Sequence, residues 1–174
     1  DLAEILKNPG RAVGIHFIEP IDKTTIVEVV KGVKSTKEAH EKVMRFCQLI
    51  RKKGVCVNES PGNISTRMLI PIINEACEIL LEGIATIDDI DLTMRETFGH
   101  NIGPFEMADK IGLDKILKYM ENLYAEYGES KYKASPVIKR LVRANHFGRY
   151  SGNGFYNYDN DKPVSNNLTH ALVR

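Results

Sequence analysis

The stretch SPGNISTRMLIPIINEACEILLE, residues 60–82, decides how the rest of the sequence is interpreted. Ser60 as N-cap and Pro61 as first helical residue predict a helix that runs to about Glu82. Pro71 lies inside this helix and is expected to bend it. Apolar side chains cover nearly the whole circumference, which suits a helix with neighbours on several sides. They are Leu69, Ile70, Ile72, Ile73, Ala76, Cys77, Ile79, Leu80 and Leu81.

Helix signals dominate the remainder of the chain. They are a cap formed by Thr86 and Asp89, a Gly103-Pro104 start, an i, i+3, i+4, i+7 apolar stripe from Leu113 to Tyr127, and a Ser135-Pro136 start for a last helix to about Asn145. We therefore expect a mainly α fold with a bundle of about five helices.

The first third of the sequence combines strand signals with one helix. Ser35 and Glu38 form a capping box for an amphipathic helix of about five turns, which is predicted to end at Gly54. Three β-rich runs surround it, at residues 12–18, 25–30 and 55–57.

Composition excludes several classes of protein. The chain has 174 residues, with 24 basic and 23 acidic side chains that nearly cancel to a net charge of +1. This balance argues against a nucleic-acid partner, and no apolar run reaches the ~18 residues of a membrane span. Cys47, Cys56 and Cys77 show no paired spacing, so we predict buried, reduced thiols in a cytoplasmic protein and no metal site.

His16 and Glu28 are the residues most suited to chemistry. Strand alternation puts His16 on the face of Gly14, whose missing side chain is expected to leave open space beside the imidazole. Glu28 lies on an apolar face, where an unpaired carboxylate would be costly, so His16 is its expected partner. Such a pair suits a general base. The alternative is a hydrogen-bonded core histidine with Glu28 as a solvent-facing edge residue.

Several motifs resemble those of 3-hydroxyacyl-CoA dehydrogenases. VGIHFIEP and IVEVV, at residues 13–20 and 26–30, are similar to the family's G-x-H-F-x-x-P…L-V-E-V signature. Residues 60–67 resemble S-P-G-F-x-x-N-R, and residues 70–76 resemble P-x-x-N-E-A. Residues 103–109 resemble G-P-x-x-x-A-D, and residues 148–156 the closing G-[RK]-K-[ST]-G-x-G-F-Y. The matches occur in order over about residues 9–158.

The resemblance implies an oxidoreductase that interconverts L-3-hydroxyacyl-CoA and 3-ketoacyl-CoA with NAD or NADP. A short-chain substrate such as 3-hydroxybutyryl-CoA is expected, in fatty acid and butanoate metabolism. His16 would take the hydroxyl proton while hydride leaves C3, and Glu28 would orient His16. The implied fold is a helical domain like the C-terminal domain of 6-phosphogluconate dehydrogenase, which dimerises through its long helices, preceded by a remnant of a Rossmann sheet.

Three residues depart from the family pattern. Glu19 and Thr66 stand where the family has Asn, at positions that the resemblance assigns to substrate binding. Tyr150 stands where the family has Lys, at a position that it assigns to the cofactor. A non-catalytic helical dimerisation module derived from the family is therefore an alternative to the enzyme. A third reading is an epimerase or a piece of a fatty-oxidation multienzyme.

The resemblance also implies a domain division. Residues 1–20 would be the tail of an NAD-binding Rossmann domain, residues 21–159 a substrate-binding and dimerisation domain, and residues 160–174 a poorly ordered polar tail. No G-x-G-x-x-G turn occurs in the sequence. We therefore expect this chain alone to be inactive and to bind no NAD, whereas acyl-CoA is the expected substrate of the full-length enzyme.

Overall fold

The computed structural model describes residues 2–19 and 21–165 and divides the chain into two compact units, Asp1–Ser65 and Thr66–Arg174. The division lies after Ser65, whereas the sequence placed a boundary after residue 20. The difference arises because the strands on either side of residue 20 pair in one sheet. Within the described ranges, we find no helix with the length and apolar character needed to cross a bilayer.

The first unit is built on a three-stranded sheet in the order β1-β2-β3. Strand β1 (Gly14–Phe17) is antiparallel to β2 (Ile26–Lys31), and β2 is parallel to β3 (Lys53–Asn58). Helix α1 (Lys37–Leu49) forms the crossover between β2 and β3, as parallel neighbours require. Two short 3₁₀ turns, Leu2–Ile5 and Pro9–Arg11, precede β1. Val27, Val29 and Cys47 form the core. All three predicted strands are present.

Both predicted ends of α1 are wrong. The helix is capped by Thr36, whose side chain accepts a hydrogen bond from the Ala39 N–H, and not by Ser35. The Ser35 hydroxyl is engaged elsewhere, because it accepts from Gly32 and donates to Ala12. The helix ends at Leu49 rather than at Gly54.

Gly54 lies inside β3, where its lack of a side chain serves packing. A Cβ at this position would collide with the side chain of Met44 on α1. The glycine therefore allows α1 to approach the sheet closely, which is a reason for glycine in a strand interior.

The three cysteines are free, but only Cys47 and Cys77 are buried. The prediction that all three are buried is wrong for Cys56, which is exposed. Alternation along β3 explains the difference, since Val57 takes the inward position and its neighbour faces outward.

The second unit is helical, and helix α2 (Ser65–Leu81) begins at the last residue of the first unit. Up to residue 165, four more α-helices follow, which confirms a bundle of about five: α3 (Ile87–Phe98), α4 (Pro104–Ile111), α5 (Leu113–Tyr127) and α6 (Pro136–Arg143). The predicted caps at Thr86, Gly103 and Ser135 are all present. The core includes Ile70, Ile73 and Leu80 of α2.

The predicted start of α2 at Ser60-Pro61 is wrong. Gly62 and Asn63 adopt φ angles of 77° and 49°, in the left-handed region, so no continuous α-helix can pass through them. Residues 61–64 form a turn, and the helix begins only at Ser65. Pro71 lies inside α2, as predicted.

Two fully buried aspartates join the last part of the chain to the helices. Asp91 accepts hydrogen bonds from the Phe105 and Glu106 N–H groups and from the Tyr156 hydroxyl. Asp109 accepts from the Phe155 and Tyr156 N–H groups and from the Tyr158 hydroxyl. Four of these six bonds, from Phe155, Tyr156 and Tyr158, hold the segment after residue 148 against the bundle.

A β-hairpin follows this segment. Strands β4 (Asn157–Asp159) and β5 (Lys162–Val164) pair in antiparallel fashion, and Asn160 and Asp161 form the turn with positive φ angles. The expectation of a poorly ordered tail from residue 160 is therefore wrong for residues 160–165. Residues 166–174 lie outside the described part of the chain.

Candidate active site

The sheet register brings His16 and Glu28 together. They are directly opposite each other in the antiparallel β1–β2 pair, so both side chains leave the same face of the sheet. His16 Nδ1 lies 2.7 Å from Glu28 Oε2, which is hydrogen-bonding distance. The hydrogen bond expected from the sequence is thus present.

Glu28 is a buried carboxylate with a full set of hydrogen-bond partners. Its side chain is 3% exposed, so the alternative in which it faces solvent is wrong. Oε1 accepts from the backbone N–H groups of Ile64 at 3.1 Å and Ser65 at 2.9 Å. Oε2 accepts from the Ser65 hydroxyl at 3.3 Å as well as from His16. Four donors converge on the group, as a buried negative charge requires.

This arrangement fixes the chemistry available at His16. An ionised Glu28 can only accept, so Nδ1 of the imidazole carries the hydrogen between them. The neutral imidazole then has its lone pair on Nε2, and the side chain is 36% exposed. Nε2 can therefore take a proton from a bound hydroxyl, and Glu28 stabilises the resulting imidazolium.

Gly14 lies close to the neighbouring strand. A Cβ built at this position would lie 3.0 Å from the Cβ of Val30, its cross-strand partner. The glycine therefore serves close packing between β1 and β2.

The other predicted site residues lie apart from this pair in the sequence. Glu19 is exposed and lies two residues beyond the end of β1. Thr66, the second residue of α2, is partly buried and belongs to the second unit. Tyr150 also belongs to the second unit, where its exposed ring stacks on Phe147 with 6.0 Å between centroids. Desolvation by the atoms packed against the ring, with a contribution from Asp114, raises the pKa of Tyr150.

Sequence reasoning missed the donors at Ile64 and Ser65. A helix that starts at Pro61 would include both residues, and their N–H groups would then be hydrogen-bonded within the helix. Gly62 and Asn63, two residues that tolerate the left-handed region, were the available signal of a later start. Across residues 2–19 and 21–165, no three His, Cys, Asp or Glu side chains are grouped to hold a metal ion.

Comparison with known proteins matches consecutive parts of the chain to two domains of one family. The NAD binding domain of 3-hydroxyacyl-CoA dehydrogenase matches residues 1–60, and the C-terminal domain of the same family matches residues 62–158. The crystal structure of (S)-3-hydroxybutyryl-CoA dehydrogenase from Ralstonia eutropha is similar, with a TM-score of 0.86 and 36% identity. That match covers 91% of this chain and 56% of the other.

Curated relatives are similar over nearly the whole chain. The 3-hydroxybutyryl-CoA dehydrogenase of Clostridioides difficile is 40% identical over 159 residues, which are 91% of this chain and 57% of the relative. The mitochondrial hydroxyacyl-coenzyme A dehydrogenase of Homo sapiens is 32% identical over 90% of this chain and 50% of its own length. The chain thus spans about half the length of the curated relatives it matches. With the two family domains following each other from residue 1 to residue 158, the chain belongs to the 3-hydroxyacyl-CoA dehydrogenase family.

Proposed function

We propose that the full-length protein is an oxidoreductase that interconverts L-3-hydroxyacyl-CoA and 3-ketoacyl-CoA with NAD or NADP. The observation that carries this proposal is the His16–Glu28 pair, with its 2.7 Å hydrogen bond and its buried, fully hydrogen-bonded carboxylate. A histidine held in this way is able to move a proton at the oxygen of a substrate. The family membership supplies the reaction to which that proton transfer belongs.

In the proposed oxidation, Nε2 of His16 takes the proton of the C3 hydroxyl, and the charge that develops on the imidazole is balanced by Glu28. NAD or NADP, when bound, accepts the hydride from C3. In the reverse direction the imidazolium returns the proton to the C3 oxygen. The Gly-rich turn that would hold the cofactor pyrophosphate does not occur in this sequence, whereas the proton-transfer pair does.

The proposed substrate is short, with 3-hydroxybutyryl-CoA as the example. Two similar proteins, from Clostridioides difficile and Bacillus subtilis, carry the names 3-hydroxybutyryl-CoA dehydrogenase and probable 3-hydroxybutyryl-CoA dehydrogenase. We assign Glu19 and Thr66 to substrate binding and Tyr150 to the cofactor side, following the family pattern. Three free cysteines suit a reducing compartment, so we propose that the protein acts in the cytoplasm.

A non-catalytic dimerisation module would not need the proton-transfer pair. In such a protein Glu28 could still hold the turn through the Ile64 and Ser65 N–H groups, whereas the partly exposed imidazole of His16 on Oε2 would not be required. The intact pair therefore favours the enzyme.

The test is a His16→Ala substitution in the full-length protein. Acetoacetyl-CoA-dependent oxidation of NADH and of NADPH is measured at 340 nm, with His100→Ala, an exposed histidine, as the matched control. The substitution at His16 should lower kcat about 10²- to 10⁴-fold, the range for loss of general acid–base catalysis. Near-wild-type activity in this variant would refute the role of His16.

We further propose that the helical domain, of the 6-phosphogluconate dehydrogenase C-terminal type, forms a homodimer. One side of α2 is core, but Met68 on another side is 65% exposed, and Phe98 at the end of α3 is 67% exposed. A helix that is apolar on nearly every side and leaves a methionine exposed has a face available to a second subunit. Light scattering at micromolar concentration should return twice the 19.6 kDa of the single chain. A mass near 19.6 kDa would contradict the dimer.

A further inference from the structure

We propose that Ser65 is a positioning residue that sets the pH range of the His16–Glu28 pair. The proposal rests on the proposed function, and it concerns a position that the family signature S-P-G-F-x-x-N-R leaves unspecified. Ser65 follows the Gly62-Asn63 turn and is the first residue of α2.

Ser65 contacts both oxygens of the Glu28 carboxylate. Its N–H donates to Oε1 at 2.9 Å, and its hydroxyl donates to Oε2 at 3.3 Å. Oε2 is also the oxygen that accepts from His16. One residue thus fixes the plane of the carboxylate and shares the oxygen that holds the imidazole. The N–H bond would form with any residue except proline, whereas the second bond depends on a side-chain hydroxyl.

Because the Ser65 hydroxyl and His16 share Oε2, this oxygen stabilises the protonated imidazole less strongly than it would with His16 alone. A hydroxyl donor withdraws negative charge from the carboxylate oxygen, so less of that charge remains to stabilise the imidazolium. Without the hydroxyl, the imidazolium should persist to higher pH. The oxidation needs neutral His16 and the reduction needs protonated His16, so the two directions respond in a linked way.

The prediction for Ser65→Ala in the full-length protein is a parallel displacement of two pH profiles. The acidic limb of kcat/KM for 3-hydroxybutyryl-CoA oxidation should move upward by about half a pH unit, the scale of one modest hydrogen bond. The basic limb for acetoacetyl-CoA reduction should move upward by a similar amount. A general loss of structure would instead narrow both profiles.

Ser65→Thr retains the hydroxyl, so both limbs of this variant should lie at their wild-type positions. Ser65→Cys retains the size with a weaker donor and should give an intermediate displacement. Ser130→Ala, an exposed serine of the second unit, is the matched control and should change neither limb. Thermal unfolding of each variant identifies any that does not fold, and the threonine and cysteine variants keep the test decisive if alanine is not tolerated.

Profiles of Ser65→Ala and Ser65→Cys that superimpose on the wild type would overturn the proposal, as would a folded Ser65→Thr that does not restore the limbs. These results leave the proposed function intact as long as His16→Ala is inactive. An active His16→Ala would instead remove the proposed function, so the two failures are distinguishable.

Discussion

Replacing Asp109 by asparagine tests how the second unit is held together. The carboxylate has no exposed surface, and three donors point at it: the N–H of Phe155 at Oδ1, and the N–H of Tyr156 and the hydroxyl of Tyr158 at Oδ2. Asparagine has a single acceptor oxygen, so one backbone N–H is left facing an NH₂ group. An unsatisfied buried donor of this kind costs about 1–3 kcal/mol.

The pH dependence of this substitution is the sharper readout. Burial raises the pKa of Asp109 from 3.8 to about 7, although its three donors act in the opposite direction. Between these two pH values the unfolded chain has released a proton that the folded chain still holds. The stability that this group contributes is therefore complete below pH 4, falls steadily as the pH rises from 4, and is fully lost once the pH has passed 7. Tyr158 can accept the bond from a protonated Asp109, because its hydroxyl rotates.

From pH 5 to pH 8, the wild type should lose about 2–3 kcal/mol of unfolding free energy through Asp109, whereas Asp109→Asn should not. Urea denaturation followed by ellipticity at 222 nm measures both proteins across this range. Asp22→Asn, at an exposed carboxylate, is the control. Burial also raises the pKa of Asp91, but this group is present in both proteins and largely cancels in the difference. A wild-type minus variant difference that stays constant, or grows with pH, would refute the reasoning.

Two further outcomes are expected. Glu28→Gln should lower kcat by about 10²- to 10⁴-fold, because an amide placed against Nδ1 favours the wrong imidazole tautomer; activity within threefold of wild type would contradict this. The 174-residue chain alone should bind no NAD in calorimetric titration, since its sequence has no G-x-G-x-x-G turn; micromolar binding would show that the cofactor site lies elsewhere.

Local patterns predicted most elements because their signals and their tertiary surroundings agree. The stripe from Leu113 to Tyr127 became α5, and the Thr86 and Ser135 caps are present. The predicted ends of helices were wrong where contacts with distant residues determined which of two similar residues forms the cap. Ser35 and Thr36 are both good caps, and only the contacts of Ser35 with Gly32 and Ala12 leave the cap to Thr36.

For a related reason, the sequence predicted the His16–Glu28 pair of the candidate site but not the backbone donors to Glu28. Strand alternation and the cost of a buried carboxylate place His16 beside Glu28, because both arguments use only residues within two short strands. The donors at Ile64 and Ser65 come from 36 and 37 residues further along the chain. Their approach depends on the turn at Gly62 and Asn63, which a capping pattern at Ser60-Pro61 concealed.

The motifs of the second unit have a structural explanation that is separate from the chemistry of His16. Asp109 closes the G-P-x-x-x-A-D match, and Phe155 and Tyr156, which donate to it, close the G-x-G-F-Y match. A Cβ at Gly154 would overlap the Asp109 carboxylate, so glycine is needed for this approach. The two motifs therefore supply the acceptor and the donors of one set of buried hydrogen bonds. A protein with this helical fold has a use for these bonds whether or not it is an enzyme. Their presence supports the fold and the family, whereas the proposed activity depends on the proton-transfer pair in the first unit.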